Sequence, residues 1–462
     1  MEFYVYNTLT RKKELFQTIN RGIVKLYTCG PTVYDFSHIG NFRTFIFEDL
    51  LKRWLVHLGY EVNHIMNITD VDDKTIAKSI KKGVPLKKIT EKYISSFIKD
   101  LNWLNIIPAD NYPCATDYIT QMKDMIQILL DKGKAYKHDD GSIYFKISSF
   151  QDYGKLSNIK INKKKLNSRI ISDEYDKNNV QDFVLWKAWK IDDGNVYWDS
   201  PWGKGRPGWH IECSAMSKAT LGSQFDIHCG GVDNIFPHHE NEIAQSQCAN
   251  GKSFVNYWLH SEFLMINDSK MSKSLGNYYI LNDLKKMNFS PESIRYQLLS
   301  GHYRTKLLFS LRKKHESDKI IQRINDFYIH LKENDADRAE AKTYPSIYKD
   351  FQKAMNDDLN TPKAIAIFME WMRNSQKKIA NNKLSEGDLG DSWRFLKIFD
   401  SIFGFIKKEK LVIPHSIRSI LDDRKHARDQ KNWKLSDELR QCLKEMGWAV
   451  EDTSKGQRVK KL

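Results

Sequence analysis

Cysteine is scarce in this chain, with six cysteines in 462 residues and no CxxC pair among them. This scarcity excludes a disulfide-built scaffold, which needs cysteines at a much higher density. Most of the six are expected to be small buried side chains. A metal site would have to draw its ligands from segments that lie far apart in the sequence.

Long apolar stretches are also lacking. No run of 18 apolar residues occurs, which excludes a helix that spans a membrane. The first residues, Met1-Glu2-Phe3-Tyr4, do not have the basic-then-apolar order of a secretory signal. We therefore expect a cytoplasmic protein.

Acidic residues are outnumbered by basic ones. Lysine and arginine total 73 against 58 aspartates and glutamates, which gives a net charge of +15. An excess of this size favours a polyanionic partner such as a nucleic acid, although a lysine-rich composition without a special partner would explain it as well. The length predicts three or four domains, and the aromatic content of 12% excludes disorder over the whole chain.

The predicted elements indicate a parallel sheet near the N-terminus. Residues 23–29 are predicted to form a strand that Gly30-Pro31 ends, residues 41–57 a helix, and residues 61–66 a second strand. This order is typical of a βαβ unit. A second α/β pattern returns over residues 225–264.

The stretch between these two parts has a different pattern. Helices are predicted over 87–104 and 116–132, and short β-rich pieces follow from 134 to about 210, one of them over 195–202. This pattern predicts a domain inserted into the sheet domain. Residues 315–405 are mostly helical in pattern.

The first chemical motif is Ser37-His38-Ile39-Gly40-Asn41, between the first strand and its helix. The start of a helix at the carboxyl end of a parallel strand is suited to bind phosphate. His38 and Asn41 are three residues apart and could together hydrogen-bond a polyphosphate. A structural histidine near a turn is the alternative.

The second motif is Lys270-Met271-Ser272-Lys273-Ser274, followed by Leu275-Gly276-Asn277. Two lysines in a short loop can stabilise charge that develops on a leaving phosphate. A solvated polar turn is the alternative explanation.

Together, HIGN and KMSKS resemble the paired signatures of the class I aminoacyl-tRNA synthetases. KMSKS matches the family pattern in all five residues. HIGN differs from the usual HIGH at its last position, where the cysteine-specific branch of the family normally carries asparagine. The departure therefore points to that branch.

Three further segments are similar to the zinc-binding motifs of the cysteine-specific branch. They are YTCGPTVYD at 27–35, GWHIECS at 208–214 and FPHHENE at 236–242. The resemblance implies one zinc ion that grips the substrate thiol. The implied ligands are Cys29, Cys213, His238 and Glu242.

The chemistry of these residues agrees with that implication. Thiolates, imidazoles and carboxylates are all zinc ligands, and His238 and Glu242 are four apart, so on a helix they project to one side. The sequence does not show that Cys213 meets the others in space. His239 and Glu240 lie in the same run, and the choice against them depends on the resemblance.

Other matching positions imply a substrate pocket. Thr69, in the NITDVDDK segment, would lie beside the amino acid; a helix N-cap is its alternative role. Gly230 and Gly231 would let the nucleotide approach, and Asp233 would hold a ribose hydroxyl or the substrate ammonium. Two residues would wall the pocket, with core packing as their alternative: Trp209 and His228.

The C-terminal end is predicted to bind RNA. Residues 401–462 carry 15 basic against 9 acidic side chains, and the run 424–440 contains Trp433. Arginines and an aromatic ring can stack on unpaired bases. In the family this end reads the anticodon, and the matching positions are Arg428, Trp433, Asp437, Arg440 and Asp452. A helix with a solvated charged face is the alternative.

The resemblance implies an α/β fold: a Rossmann-like parallel-sheet catalytic domain with an inserted domain, a helical bundle and a small C-terminal anticodon-binding domain. The implied parts are 1–115 and 221–265 (two halves of the catalytic domain), 116–220 (inserted connective domain), 266–330 (KMSKS loop and stem-contact region), 331–405 (tRNA-binding bundle) and 406–462 (anticodon recognition).

The resemblance also implies the activity. Cysteine would react with ATP, which arrives with Mg²⁺, and then be transferred to tRNA-Cys. Phosphate stabilisation would fall to His38, Asn41, Lys270 and Lys273, with Gly40 and Lys273 among the ATP-binding residues. We expect a monomer. The role of the basic run 163–165 stays open between the tRNA acceptor stem and solvated surface.

Two other functions remain in competition. A cysteine ligase similar to the mycothiol-pathway enzyme shares the motifs and the adenylate chemistry, but it would be expected to lack an anticodon domain. A zinc-dependent RNA-binding protein without catalysis would not need HIGN or KMSKS.

The enzymatic hypotheses predict that Lys273→Ala abolishes cysteine-dependent ATP–pyrophosphate exchange, because the loop loses a positive charge that stabilises the phosphates. The measurement is isotope exchange on reduced, zinc-loaded protein. Absence of exchange in the unmodified protein would favour the RNA-binding alternative instead.

Overall fold

The computed structural model describes residues 2–159, 169–170, 172–175, 177, 180–266, 269–270, 278–341, 343–381, 385–407, 413–453 and 456–461. The described strands are β1 (Tyr4–Asn7), β2 (Lys12–Leu15), β3 (Ile23–Thr28), β4 (Glu61–Met66), β5 (Ala135–Lys137), β6 (Ile143–Phe145), β7 (Arg169–Ile170), β8 (Asp182–Ala188), β9 (Gly205–Pro207), β10 (Phe225–Gly231), β11 (Val255–Ser261), β12 (Leu264–Ile266), β13 (Ser269–Lys270), β14 (Leu307–Phe309), β15 (Trp448–Thr453) and β16 (Gly456–Lys461).

The described α-helices are α1 (Ile39–His57), α2 (Asp73–Lys82), α3 (Leu86–Trp103), α4 (Ile119–Asp131), α5 (Trp209–Leu221), α6 (Glu240–Asn250), α7 (Leu281–Lys286), α8 (Pro291–Leu299), α9 (Lys314–Glu333), α10 (Tyr348–Asn356), α11 (Thr361–Ala380), α12 (Glu386–Phe403), α13 (His415–Asp429) and α14 (Trp433–Glu445). Among these, none has both the length and the apolar character that a membrane span requires.

The central sheet has four parallel strands in the order β11-β10-β3-β4. The chain runs from β3 through α1 to β4 on one side, and from β10 through α6 to β11 on the other. The connections therefore diverge between β3 and β10. Ligands of open α/β sheets bind at the carboxyl ends of the strands at such a point. This confirms the predicted Rossmann-like α/β class.

A second sheet is built from β5, β6, β7, β8 and β9 within the predicted insert. The β-rich piece predicted over 195–202 does not form a strand; it makes one isolated bridge, between Trp198 and Gly205. Hydrogen bonds local to the 191–203 turns take up its polar groups, as in the contact of Ser200 Oγ with the carbonyl of Gly203.

The C-terminal third is helical until its last hairpin. Helices α9 to α12 bury a continuous aromatic core in which Phe368 stacks on Phe399 with ring centroids 3.5 Å apart. Helices α13 and α14 pack on each other, and β15 pairs with β16 against α14. A separate small core holds this last part together.

Helix α1 is buried on most of its faces because it lies between the central sheet and helices α8 and α12. An ion pair inside this layer joins three parts of the chain. Arg295 on α8 lies 2.8 Å from the carboxylate of Asp49 on α1, and its guanidinium donates to the carbonyls of Phe403 and Leu104. Both charged side chains are fully buried.

We predict that Arg295→Leu destabilises the protein by about 3 kcal/mol, because it removes one partner of a buried ion pair and leaves two buried carbonyls without their donor. The thermal unfolding midpoint should fall by several degrees. Arg312→Leu, at an exposed position, is the matched control and should leave it nearly unchanged. Equal midpoints for both variants would contradict this assignment.

Candidate metal centre and nucleotide pocket

The carboxyl ends of β3 and β10 open into a cavity of about 360 Å³ at the point where the connections diverge. Seven of the residues singled out from the sequence line it. They are Cys29, His38, Gly40, Asn41, Trp209, Gly231 and Asp233. The structure therefore brings four separate sequence motifs to one cavity.

His38 and Asn41 are bonded to each other at the start of α1. The backbone N–H of Asn41 donates to Nδ1 of His38 (3.3 Å), and the backbone N–H of His38 donates to Oδ1 of Asn41 (3.0 Å). This is a reciprocal capping box, with a histidine in place of the usual serine or threonine. The capping fixes both side chains while they line the cavity, so a structural role does not exclude the predicted role in phosphate binding.

The segment that follows KMSKS is attached to the same place. The N–H of Ile39 donates to the carbonyl of Tyr279 at 2.9 Å, and the hydroxyl of Tyr278 donates to the carbonyl of Phe36 at 3.3 Å. The ring of Tyr278 also packs edge-on against His38. Neither tyrosine was singled out from the sequence, although both come shortly after the motif.

At the start of the motif, the backbone of Lys270 pairs with that of Met265. The side chain of Lys270 and the whole of Lys273 lie outside the described residues, as does the basic run 163–165.

Four predicted metal ligands converge behind the cavity. The Sγ atoms of Cys29 and Cys213, one imidazole nitrogen of His238 and one carboxylate oxygen of Glu242 all lie within 4.8 Å of one another. Three are fully buried, and Cys29 is partly exposed toward the cavity. The structure thus places Cys213 beside the other three ligands, a position that the sequence left open.

Desolvation affects the ionisation of this group. The hydrogen bond with Cys213 and burial raise the pKa of Cys29 well above its ordinary value. Burial raises the pKa of Cys213 and lowers the pKa of His238 to about 3. The protein alone favours neutral thiols and a neutral imidazole, and a divalent cation would favour the thiolates.

Further buried groups hold two of these side chains. His210 Nδ1 lies 3.0 Å from His238 Nδ1, which leaves Nε2 of His238 directed toward Glu242. His228 Nε2 lies 3.0 Å from Oε2 of Glu242. The other oxygen, Oε1 of Glu242, is buried and lies 3.1 Å from Nε2 of His238 without a hydrogen bond of suitable geometry. A carboxylate oxygen in that state fits a metal ligand, and the partners around it resemble the support that such ligands usually have.

The alternatives in the same run are distinguished by their contacts. Glu240 accepts from the backbone N–H groups of Gly154 and Ser157 and from the Ser157 hydroxyl, so its carboxylate is saturated. His239 is different. Its Nε2 lies 3.2 Å from Sγ of Cys29, and it belongs to a second set of clustered donors. That set is Cys29, His228, His239 and Glu242.

Thr69 lies behind the cavity wall, outside the residues that line the cavity. Its alternative role as a helix N-cap was wrong: α2 begins after Asp72, whose carboxylate accepts from the N–H of Thr75 at 2.7 Å. Thr69 instead lies in an extended segment bridged to Thr32, and its hydroxyl donates to Oε2 of Glu212 at 3.0 Å.

The glycines of this site have distinct tasks. A Cβ on Gly30 would lie 1.7 Å from the carbonyl oxygen of Asn67, so only glycine fits beside Cys29. A Cβ on Gly230 would lie 2.9 Å from the ring of His239. Gly230 therefore makes room for a histidine, whereas Gly231 lines the cavity.

Trp209 and His228 were both predicted to line the substrate pocket, but the structure places only one of them there. Trp209 lines the cavity and stacks on His238 with ring centroids 4.2 Å apart. His228 is fully buried, stacks on Trp258 and bonds Glu242 behind the cavity. Its contacts are those of a supporting histidine.

The predicted RNA-reading residues cluster at the C-terminal end. The guanidinium of Arg428 lies 5.6 Å from the ring centroid of Trp433, which is 56% exposed. Asp452 is paired with Arg428 and, through both oxygens, with the buried Arg424. The hydrogen bonds from Arg424 lower the pKa of Asp452. Asp437 and Arg440 are exposed on α14.

Three family models match successive parts of the chain. The tRNA synthetases class I (C) catalytic domain matches residues 15–323, the DALR domain 350–407, and the Cysteinyl-tRNA ligase anticodon binding domain 413–459.

Curated relatives match over the full length. A Cysteine–tRNA ligase of Chlamydia trachomatis serovar A is 48% identical over 478 residues, and one of Chlamydia muridarum is 47% identical over 476; both alignments cover 100% of each chain. One of Protochlamydia amoebophila is 45% identical, covering 99% of this chain and 97% of its own.

Solved structures share the fold at low identity. Mycobacterium tuberculosis methionyl-tRNA synthetase in complex with methionyl-adenylate has a TM-score of 0.59 at 13% identity, covering 83% of this chain and 90% of its own. A LeuRS of Agrobacterium radiobacter has a TM-score of 0.61 at 11% identity, covering 84% and 85%. These likenesses show the fold alone.

Proposed function

The chain belongs to the cysteine–tRNA ligase family of class I aminoacyl-tRNA synthetases, and on that premise we propose that a zinc ion beside the cavity selects its substrate. The enzyme activates L-cysteine with ATP and joins it to tRNA. The proposed zinc ligands are Cys29, Cys213, His238 and Glu242.

The observation that carries the zinc proposal is the convergence of four donors from three distant segments, with one buried carboxylate oxygen left without a hydrogen bond. Two thiols, an imidazole and a carboxylate match zinc chemistry, whereas Mg²⁺ and Ca²⁺ prefer oxygen ligands alone. The partial exposure of Cys29 to the cavity supports access by a substrate thiol.

When bound, zinc would offer a coordination position that a thiolate can occupy. Cysteine offers such a ligand, serine only a harder and far less acidic hydroxyl, and alanine none. A site built around one specific bond can reject analogues without it by roughly 10⁴-fold, so the proposal includes no editing step.

The chemistry itself needs positioning and charge stabilisation. The cysteine carboxylate attacks the α-phosphorus of ATP and pyrophosphate leaves. The terminal ribose hydroxyl of tRNA then attacks the adenylate carbonyl and AMP leaves. The start of α1 would stabilise the phosphates through the side chains of His38 and Asn41, with Gly40 allowing close approach.

Other groups would complete the nucleotide site. Gly231 and Asp233, at the end of β10, line the same cavity and are proposed to hold the adenylate. Lys270 and Lys273 are proposed to neutralise the leaving pyrophosphate, and Mg²⁺ would arrive with ATP, bound mainly through its phosphates.

The C-terminal cluster is the proposed anticodon reader. The exposed ring of Trp433 and the neighbouring guanidinium of Arg428 form a surface on which a base can stack. Asp452 would serve mainly to hold Arg428, since it already pairs with two arginines. We also propose the domain boundaries given from the sequence, a monomer, and action in the cytoplasm.

We predict that the reduced protein binds one zinc per chain and that Cys213→Ala and His238→Ala lower this to well below one. Cys442→Ala is the matched control, because Cys442 lies on α14 and belongs to neither set of clustered donors, and it should keep the metal. The measurement is metal analysis after dialysis. Loss of zinc in His239→Ala but retention in His238→Ala would instead assign the second set of donors.

The function predicts transfer of labelled cysteine to one tRNA species from an unfractionated pool, with ATP and with serine as competitor. Charging should be indifferent to excess serine. Pyrophosphate exchange without charging would move the acceptor to a small amine, as in the mycothiol-type ligase, and would contradict the tRNA assignment.

A further inference from the structure

Three buried polar side chains form a line of hydrogen bonds behind the cavity. The N–H of Gly30 donates to Oδ1 of Asn67 (3.1 Å), Nδ2 of Asn67 donates to Oγ1 of Thr69 (3.4 Å), and that hydroxyl donates to Oε2 of Glu212 (3.0 Å). The three side chains belong to residues that are 2% exposed or less. Polar networks in such surroundings are strong and directional.

The two ends of this line adjoin the two thiols of the proposed metal site. Gly30 directly follows Cys29 at the end of β3, and Glu212 directly precedes Cys213 on α5. The two cysteines are 184 positions apart in the numbering and come from different elements, so nothing in the local chain fixes the distance between them. Besides the direct contact between the two thiols, the hydrogen-bonded line joins the residue after one cysteine to the residue before the other.

Packing at Gly30 makes the connection stiff. A Cβ there would lie 1.7 Å from the carbonyl oxygen of Asn67, so the end of β3 and the segment after β4 are already at closest approach. The segment is held from the other side as well, because the N–H of Val33 donates to the carbonyl of Thr69 and the N–H of Thr69 to that of Pro31. A shift of Thr69 would therefore move the backbone beside Cys29.

We infer that Asn67, Thr69 and Glu212 are positioning residues that set the distance between Cys29 and Cys213 and thereby the affinity of the metal site. This inference rests on the proposed function, because it concerns the same zinc ligands. It assigns Thr69 a role through the two thiols, which accords with its position outside the residues that line the cavity.

The hydroxyl of Thr69 is the critical link because it both accepts, from Asn67, and donates, to Glu212. Valine has the same shape and can do neither, whereas serine keeps the hydroxyl. Glu212→Gln keeps an oxygen that can accept from Thr69. Asn67→Asp keeps the acceptor for Gly30 but loses the donor to Thr69. The four substitutions thus separate the hydrogen bonds from the volume of the side chains.

The experiment loads each reduced, full-length variant with Co²⁺ and records the sulfur-to-cobalt charge-transfer absorption, and then measures displacement by Zn²⁺. We expect Thr69→Val and Asn67→Asp to lower the affinity by about 10–100-fold, as for other supporting partners of metal ligands, and to shift the Co²⁺ absorption. Thr69→Ser and Glu212→Gln should stay close to the parent protein. Thr90→Val, a buried threonine on α3, is the matched control and should bind as the parent does.

The outcomes separate this inference from the proposed function. Parent-like affinity and absorption in Thr69→Val would overturn the positioning role and leave the zinc site standing. A parent protein whose Co²⁺ absorption is unaffected by Cys213→Ser would contradict the zinc site itself. A thermal melt identifies folded variants, and if Thr69→Val does not fold, Asn67→Asp decides between the outcomes.

Discussion

Burial of two thiols, an imidazole and a carboxylate in one place costs free energy unless a cation compensates for the lost solvation. The four side chains lie where the carboxyl ends of β3 and β10 meet the starts of α5 and α6. The need to hold them together explains several of the surrounding residues. Gly30 lets β3 approach Asn67, His210 and His228 hold His238 and Glu242, and Gly230 leaves room for the ring of His239.

The nucleotide side of the cavity uses fewer specialised contacts. A central contact is the reciprocal bond between His38 and Asn41, which caps α1 at the cavity. Tyr278 and Tyr279, which come after KMSKS in the sequence, bond to the chain around the start of α1. The start of α1 and these two tyrosines therefore share one hydrogen-bonded junction at the cavity.

Much of this could be predicted from the sequence, for physical reasons that differ between elements. The strand at 23–29 is rich in apolar residues and ends at Gly30-Pro31, the strand at 61–66 follows from the βαβ order, and the spacing of His238 and Glu242 places both on one side of a helical turn. The remaining parts depend on contacts between distant segments. The hydrogen-bond partners of Thr69 and of His238 have no local signal, which is why Asn67, Glu212 and His210 were not identified. For the same reason a helix N-cap stood as the alternative role of Thr69, although Asp72 caps α2. The 195–202 piece has β-forming residues, but its polar groups are satisfied within turns.

The proposed selection of cysteine requires that the substrate sulfur joins two protein thiolates on the zinc ion. X-ray absorption at the zinc edge of the reduced, zinc-loaded enzyme tests it most directly, because it counts the sulfur ligands. We expect about two sulfur ligands without substrate and about three with L-cysteine, and no increase with serine. An unchanged sulfur count in the presence of saturating cysteine would contradict it.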